Sequence, residues 1–372
     1  MQTGNGEGRH GFEMTQFLPT RRTLVTGALA GVATAAIASL NGANAQSGVR
    51  RARYGAAVRA DALAADAAYA AALAARCRLI VPEGSLKWSD LRPSATEFRF
   101  TDADIIAAFA DRHRIDLRGH TLAWYGAMPA WTEAIASRAE AERTLVHHIE
   151  TVVSRYAGRI VSWDVVNEAV PEKPATVSDL RPFAWTRWLG ADYIAIAFRA
   201  AAAADPNARL VLNEYDVEFV GARFAARRAA LLHIARNLVE RGVPIHAIGL
   251  QGHLLADREI DRDGLQTFLR EVRVLGLDVL VTELDVIDAS LPGAIEVRDA
   301  RVAECARSFL NTVAEVTPPS AILTWGISDR YTWVPMYFTR SDALPNRPLP
   351  LDAQMRPKPF MAVLEQFSRM AS

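Results

Sequence analysis

The chain is expected to be an α/β protein, a single (β/α)8 TIM barrel. Three observations carry that expectation. Short apolar or β-branched runs recur eight times between residues 54 and 325. Ala-, Leu- and Arg-rich segments with 3.6-residue apolar spacing separate them. Each run but the first closes on, or is followed within two residues by, a carboxylate, amide, imidazole or indole side chain, and such barrels carry their chemistry at the C-terminal ends of the strands.

The predicted strands are Tyr54–Val58, Arg78–Pro82, Asp116–Leu122, Ile160–Val166, Arg209–Asn213, His246–Gln251, Asp278–Glu283 and Ala321–Trp325. Helical spacing is clearest over Asp61–Ala75, Glu133–Tyr156, Ala191–Ala204, Ala222–Arg241, Arg262–Leu275 and Val297–Val316. Asp205-Pro206-Asn207 and Gly242 act as helix stops. No composition shift or Gly/Ser/Pro linker divides the chain after residue 46, so residues 46–372 read as one catalytic-type domain.

The first 45 residues read as an address. Polar residues closing on Arg21-Arg22 precede an uncharged Ala/Gly-rich run, Thr23–Leu40, and the small-x-small pattern Ala43-Asn44-Ala45. This is the layout of a cleaved export signal, and the arginine pair suggests the twin-arginine route. The run is too poor in large apolar residues for a good spanning helix. The expected location is periplasmic or secreted, with no membrane association after cleavage. Cleavage would take three Arg and two Glu from the 42 basic and 42 acidic residues, leaving a net charge of −1. That balance excludes nucleic acid as a default partner, since it needs a basic excess. Cys77 and Cys305 are too few for a disulfide scaffold and are expected as buried free thiols.

The strand ends carry Glu83 and Lys87, His120 and Trp124, Asn167 and Glu168, Asn213, Gln251 and His253, Glu283 and Asp285, and Trp325. Glu168 and Glu283 stand out because each ends a very apolar run, where a charge is costly unless it faces a solvated site. Two carboxyl groups about 5–5.5 Å apart suit retaining glycosidic cleavage, one attacking and the other protonating the leaving oxygen. Electrostatic coupling would keep one protonated and one ionised. Trp124, Trp325 and Trp333 offer flat faces for a sugar ring, and Lys87, Asn167, Gln251 and His253 offer hydrogen bonds. A metal centre built from His120, His253, Glu168, Glu283 and Asp285 is the chemical rival. No Gly-rich phosphate loop follows a strand. The aromatic lining and the lack of a clustered His motif favour a sugar, with no metal and no cofactor. His113, His147, His148, His233 and His246 fall away from the strand ends, and Trp185 and Trp188 read as packing.

Five ordered motifs carry a family resemblance. They are Arg118–Trp124, Trp163–Val170, Gly249–His253, Thr282–Val286, and Thr324–Asp329 with Trp333. Over residues 53–368 the chain resembles glycoside hydrolase family 10, mostly endo-1,4-β-xylanases on a (β/α)8 barrel. The resemblance implies Glu168 as general acid/base and Glu283 as nucleophile. It further implies that Asn167 holds the sugar 2-hydroxyl, that His253 bonds Glu283, and that Asp285 orients the imidazole. Glu83, Lys87, His120, Trp124, Gln251, Trp325 and Trp333 would line the same subsite, Tyr215 would stack near the leaving-group sugar, and Asp164 would support from behind. The implied partner is a xylan-type polysaccharide or oligosaccharide, bound by a monomer.

Three departures from the family pattern concern Gly84, where an Asn is usual, Tyr125-Gly126-Ala127 in place of His-Ser-Gln, and Glu214 in place of Asp. The reaction centre is therefore expected intact and recognition one sugar away altered. A decorated xylan or bacterial exopolysaccharide is one reading, with Tyr125 as a new stacking face. Drift with weaker affinity is another. A polysaccharide-binding protein without catalysis is the rival of a different class.

Overall fold

The computed structural model describes residues 52–291 and 293–370. The export signal expected over residues 1–45 lies outside them. Among the described residues no helix is long and apolar enough to cross a membrane.

The strands are β1 (Ala52–Val58), β2 (Leu79–Pro82), β3 (Asp116–Ala123), β4 (Ile160–Asn167), β5 (Arg209–Glu214), β6 (Ala247–Leu250), β7 (His253–Leu255), β8 (Asp278–Ile287), β9 (Ala321–Thr324) and β10 (Ser368–Arg369). Parallel pairing runs β1-β2-β3-β4-β5-β6-β8-β9, and β9 returns to β1 with Tyr54 opposite Ile322. Among the described residues, therefore, eight strands close the predicted barrel. Closure removes the unpaired strand edge, and the interior fills with Ala57, Leu79, Val81, Val211, Leu280 and Leu323. A larger apolar layer lies between the strands and the surrounding helices.

Two of the predicted helical runs differ. The run Asp61–Ala75 is two helices, Ala60–Ala65 and Ala67–Arg76, because the Asp66 side chain accepts from the Ala68 and Tyr69 amides and starts a new helix. The run from Glu133 begins helically only at Arg138, where Ser137 accepts from the Glu140 amide. Another helix, Thr101–His113, buries mainly Ala103, Ala107 and Ala110 beside Ile106 and Phe109, an Ala-rich face with little contrast. Cys77 and Cys305 are buried and unpaired.

One packing feature makes the fold acid-sensitive. His148 stacks on Trp88 at 3.6 Å between ring centroids, and neither ring nitrogen has a hydrogen-bond partner among the described residues. Burial, aided by Arg92, holds its pKa well below the ordinary value. The native ring stays neutral while the unfolded one takes a proton below about pH 6.5. Stability is therefore present above that pH and lost below it. His148→Phe keeps the stack and removes the proton site. Urea melts at pH 5 and 7.5 should show the variant losing about 2 kcal/mol less than the wild type between the two; equal losses would refute this origin.

Candidate active site

Backbone hydrogen bonds between neighbouring strands pass through the site residues. The amide of Glu168 donates to the Asn213 carbonyl, Gln251 to Glu214, and Glu283 to Gln251, each at 2.9 Å. Their side chains enter a cleft of about 840 Å³ at the C-terminal mouth of the barrel. Glu83, Lys87, His120, Trp124, Asn167, Glu168, Tyr215, Gln251, His253, Glu283, Trp325 and Trp333 all line it. Asp164 and Asp285 sit behind.

Glu283 is 4% exposed. Burial alone would raise its pKa, but His120, a hydrogen bond from His253, and Lys87 outweigh it and leave the carboxyl below its ordinary value. Asn213 Nδ2 donates to Glu283 Oε1 at 2.6 Å, and Thr282 Oγ1 fixes that amide by donating to Asn213 Oδ1, also at 2.6 Å. His253 Nε2 lies 3.3 Å from Glu283 Oε2, and its Nδ1 lies 2.9 Å from Asp285 Oδ1. Trp333 Nε1 donates to the other Asp285 oxygen at 2.7 Å. Burial opposes a charge on His253, yet Asp285 and Glu283 push its pKa well above the ordinary imidazole value.

The predicted strand over Asp278–Glu283 continues to Ile287, so Glu283 is not terminal. The extension pairs with β7, placing His253 opposite Asp285. This explains why the imidazole and its carboxylate meet.

Glu168 is held differently. Gln251 Nε2 donates to Glu168 Oε1 at 3.0 Å and to Asn167 Oδ1 at 3.1 Å. Asn167 Nδ2 donates to Glu168 Oε1 at 3.2 Å, and Asn213 Nδ2 donates to Asn167 Oδ1 at 2.9 Å. Three amides thus connect the two glutamates. The backbone at Glu168 is left-handed, with φ 56°, a conformation that costs an L-residue about 1–2 kcal/mol. Arg181 supports it, its Nε donating to the Glu168 carbonyl at 3.1 Å and its Nη2 to Val170 O and Tyr215 Oη, both at 2.9 Å.

The departures from the family pattern resolve separately. Glu214 is fully buried, bonded to Arg227 at 2.6 Å and accepting from the Val170 and Tyr215 amides. Burial pushes its carboxyl up to about 7 against the pull of Arg227. It braces the segment after Glu168 from below. Tyr125, suggested by the sequence as a stacking face, lines the cleft with one face of its ring occupied. The Arg181 guanidinium sits 4.2 Å from its ring centroid, and burial, together with the nearby Glu168 carboxylate, pushes the phenol pKa upward. Gly126 also lines the cleft, and the Trp124 indole over it leaves no room for a side chain, since a Cβ there would come within 2.5 Å of the ring.

Asp164 supports the Glu283 side of the site, through His120 on β3. Arg118 Nη2 donates to Asp164 Oδ1, and His120 Nδ1 lies 3.0 Å from Asp164 Oδ2 and 3.9 Å from Glu283 Oε1. His120, Asp164 and Glu283 bring possible ligand atoms within 4.8 Å of one another. The guanidinium already bonded to Asp164 places a positive charge where a cation would bind, which disfavours a metal there. Arg181, Arg223 and Arg258 are residues of this site that sequence reading misses. They lie in loops or at a helix start, where no periodicity marks them.

The model for glycosyl hydrolase family 10 matches residues 39–366. The chain is 35% identical over 286 residues to endo-1,4-beta-xylanase 5 of Pyricularia oryzae, covering 76% of this chain and 66% of that protein. It thus spans about two thirds of that fungal relative's length. It is 32% identical over 295 residues to endo-1,4-beta-xylanase B of Paenibacillus barcinonensis, covering 75% and 85% of the two chains. Xylanase 10B from Thermotoga petrophila RKU-1, solved in complex with xylobiose, superimposes with a TM-score of 0.77 at 29% identity, covering 85% of this chain and 94% of that one.

Arg118→Met would leave Asp164 buried beside His120 alone. Removing one partner of a buried ion pair costs about 3–5 kcal/mol, so the urea midpoint should fall accordingly. A midpoint within error of the wild type would contradict the assigned role of this pair.

Proposed function

The chain belongs to glycosyl hydrolase family 10, and we propose that it cleaves β-1,4-xylosidic bonds within xylan by double displacement with retention. The observation that carries the mechanism is the unequal treatment of two linked carboxyl groups. Glu283 is buried, yet its pKa is lowered by His120, His253 and Lys87. Glu168 accepts from two amides and lies beside the Tyr125 hydroxyl.

In the first step a Glu283 carboxylate oxygen attacks the anomeric carbon while Glu168 delivers its proton to the departing glycosidic oxygen. The C–O bond to the leaving sugar breaks and an ester to Glu283 forms. In the second step Glu168, now a carboxylate, takes a proton from water. The resulting oxygen nucleophile displaces Glu283 and restores both groups. Asn167, already oriented by Asn213 and Gln251, is suited to hold the 2-hydroxyl of the reacting sugar. Trp124, Trp325 and Trp333 supply apolar faces on one side, and Tyr215 supplies one toward the leaving group. No step requires a metal or a cofactor.

The xylanases to which the chain is similar support xylan as substrate. We assign residues 1–45 as a cleaved export signal and residues 46–372 as a monomeric catalytic barrel acting in the periplasm or outside the cell. The altered Gly84 and Ala127 do not themselves line the cleft, whereas Glu83, Lys87, Tyr125 and Gly126 do. This supports weaker affinity on linear xylan over a decorated or different backbone sugar at that position.

Reducing-sugar release from linear xylan in the presence of EDTA tests the activity. Wild type should be active and Glu283→Ala inactive. Glu168→Ala should lose most of its rate on xylan but retain far more on aryl xylobiosides whose acidic phenol leaves without protonation. No release by the wild type from any xylan would overturn the proposal in favour of a binding protein.

The pH profile has a defined sign. Glu283 must be ionised to attack, and its pKa is lowered, so the acid limb of kcat/KM should lie below about pH 4.3, the ordinary glutamate value. His253→Ala removes one source of the lowering and should shift that limb upward. An unmoved limb would remove His253 from this role.

A further inference from the structure

The rim of the cleft divides chemically. Trp124, Trp325 and Trp333 face it from the segments after β3 and β9, whereas Glu172, Asp216, Arg223 and Arg258 face it from the segments after β4, β5 and β7. Within the charged half the pairing is uneven. Arg223 holds both carboxylates, its Nη1 donating to Glu172 at 2.6 Å and its Nη2 bonded to Asp216. Arg258 is exposed. Its guanidinium stands 5.7 Å from the Phe219 ring centroid and 5.6 Å from that of Phe224. Among the described residues, no carboxylate lies within ion-pair distance of it. Arg223 therefore makes both close ion pairs of this half, while Arg258 and Arg227 act on Asp216 only from beyond contact distance.

This wall adjoins Tyr215, the residue before Asp216, on the leaving-group side of the cleft. A neutral xylan backbone offers only hydroxyl and ring oxygens to such a wall. A planar guanidinium resting against aromatic rings, its donors open to solvent, matches a carboxylate in two-point geometry.

We propose that Arg258 recognises the carboxylate of a uronic-acid side group on the leaving-group side of the scissile bond, so that the preferred substrate is an acidic xylan. This rests on the xylanase reading above and deepens it. No bond is made or broken by Arg258; the ion pair adds binding energy and orients the decorated sugar across the wall. The interaction is exposed, so it should weaken as salt rises.

The test compares native glucuronoxylan with the same polymer after its carboxyl groups are reduced to alcohols, which keeps shape and linkage and removes charge. For wild type, the ratio of kcat/KM on native to reduced polymer should be about three to ten at low salt, the scale of one charge-assisted pair. In Arg258→Ala the ratio should fall to about one, and in Arg258→Lys it should take an intermediate value. Added salt should lower the wild-type ratio. A wild-type ratio of one, or a ratio unchanged in Arg258→Ala, overturns the inference and leaves the xylanase reading intact. Absence of activity on both polymers overturns both. Because the readout is a ratio for each variant, any general loss of activity cancels.

Discussion

A carboxylate held ionised in the mouth of a closed barrel is the constraint on which the rest of the site depends. Glu283 is 4% exposed, and an unpaired charge at that depth is strongly unfavourable. Three groups of contacts offset the cost, and each reaches β8 from another strand or loop. Asn213, fixed by Thr282, comes from β5; His253, with Asp285 and Trp333 behind it, comes from β7; His120, with Asp164 and Arg118 behind it, comes from β3. None of these can converge unless the parallel strands are closed in register. Barrel closure and site electrostatics are therefore one problem with one solution.

Glu168 obeys a different logic. Its backbone is left-handed, and the contacts that hold it come from outside the strand: Arg181 on its carbonyl, with Glu214 and Arg227 beneath the following segment. The side chain faces amides and a phenol, not cations at hydrogen-bond distance. One carboxyl is thus tuned toward the charged form while the other is positioned chiefly by neutral donors, the division that double displacement asks of its two participants. The aromatic and charged halves of the rim extend this asymmetry beyond the reacting bond.

Much of this was legible in the sequence, because each signal was local. Apolar runs at strand length, separated by helical spacing, located all eight barrel strands. A charge placed at the end of such a run marked Glu168 and Glu283. What escaped depends on partners distant in the chain. The strand over 278–283 looked complete, yet it runs to Ile287 because β7 lies beside it. Tyr125 gave no sign in the sequence that Arg181, from a loop without periodicity, would stack on one face of its ring. Asp164 read only as support from behind, and which group it supports becomes visible through its bonds to His120 and Arg118 on β3. Asp66 shows the same limit at small scale, since 3.6-residue spacing passes through a residue whose side chain ends one helix and begins another.

The role of Glu283 as nucleophile of a covalent double displacement is open to direct chemical trapping. A xylobioside carrying fluorine at C2 and an acidic leaving group should glycosylate the site quickly and be released slowly, because the fluorine destabilises the oxocarbenium-like transition states of both steps while the acidic leaving group restores only the first. Mass spectrometry of the digested protein should then find one fluoroxylobiosyl adduct, on the peptide containing Thr282-Glu283-Leu284-Asp285, with Glu283 as the modified residue. An adduct on Glu168, or turnover of substrate with no adduct on any residue, would contradict the account.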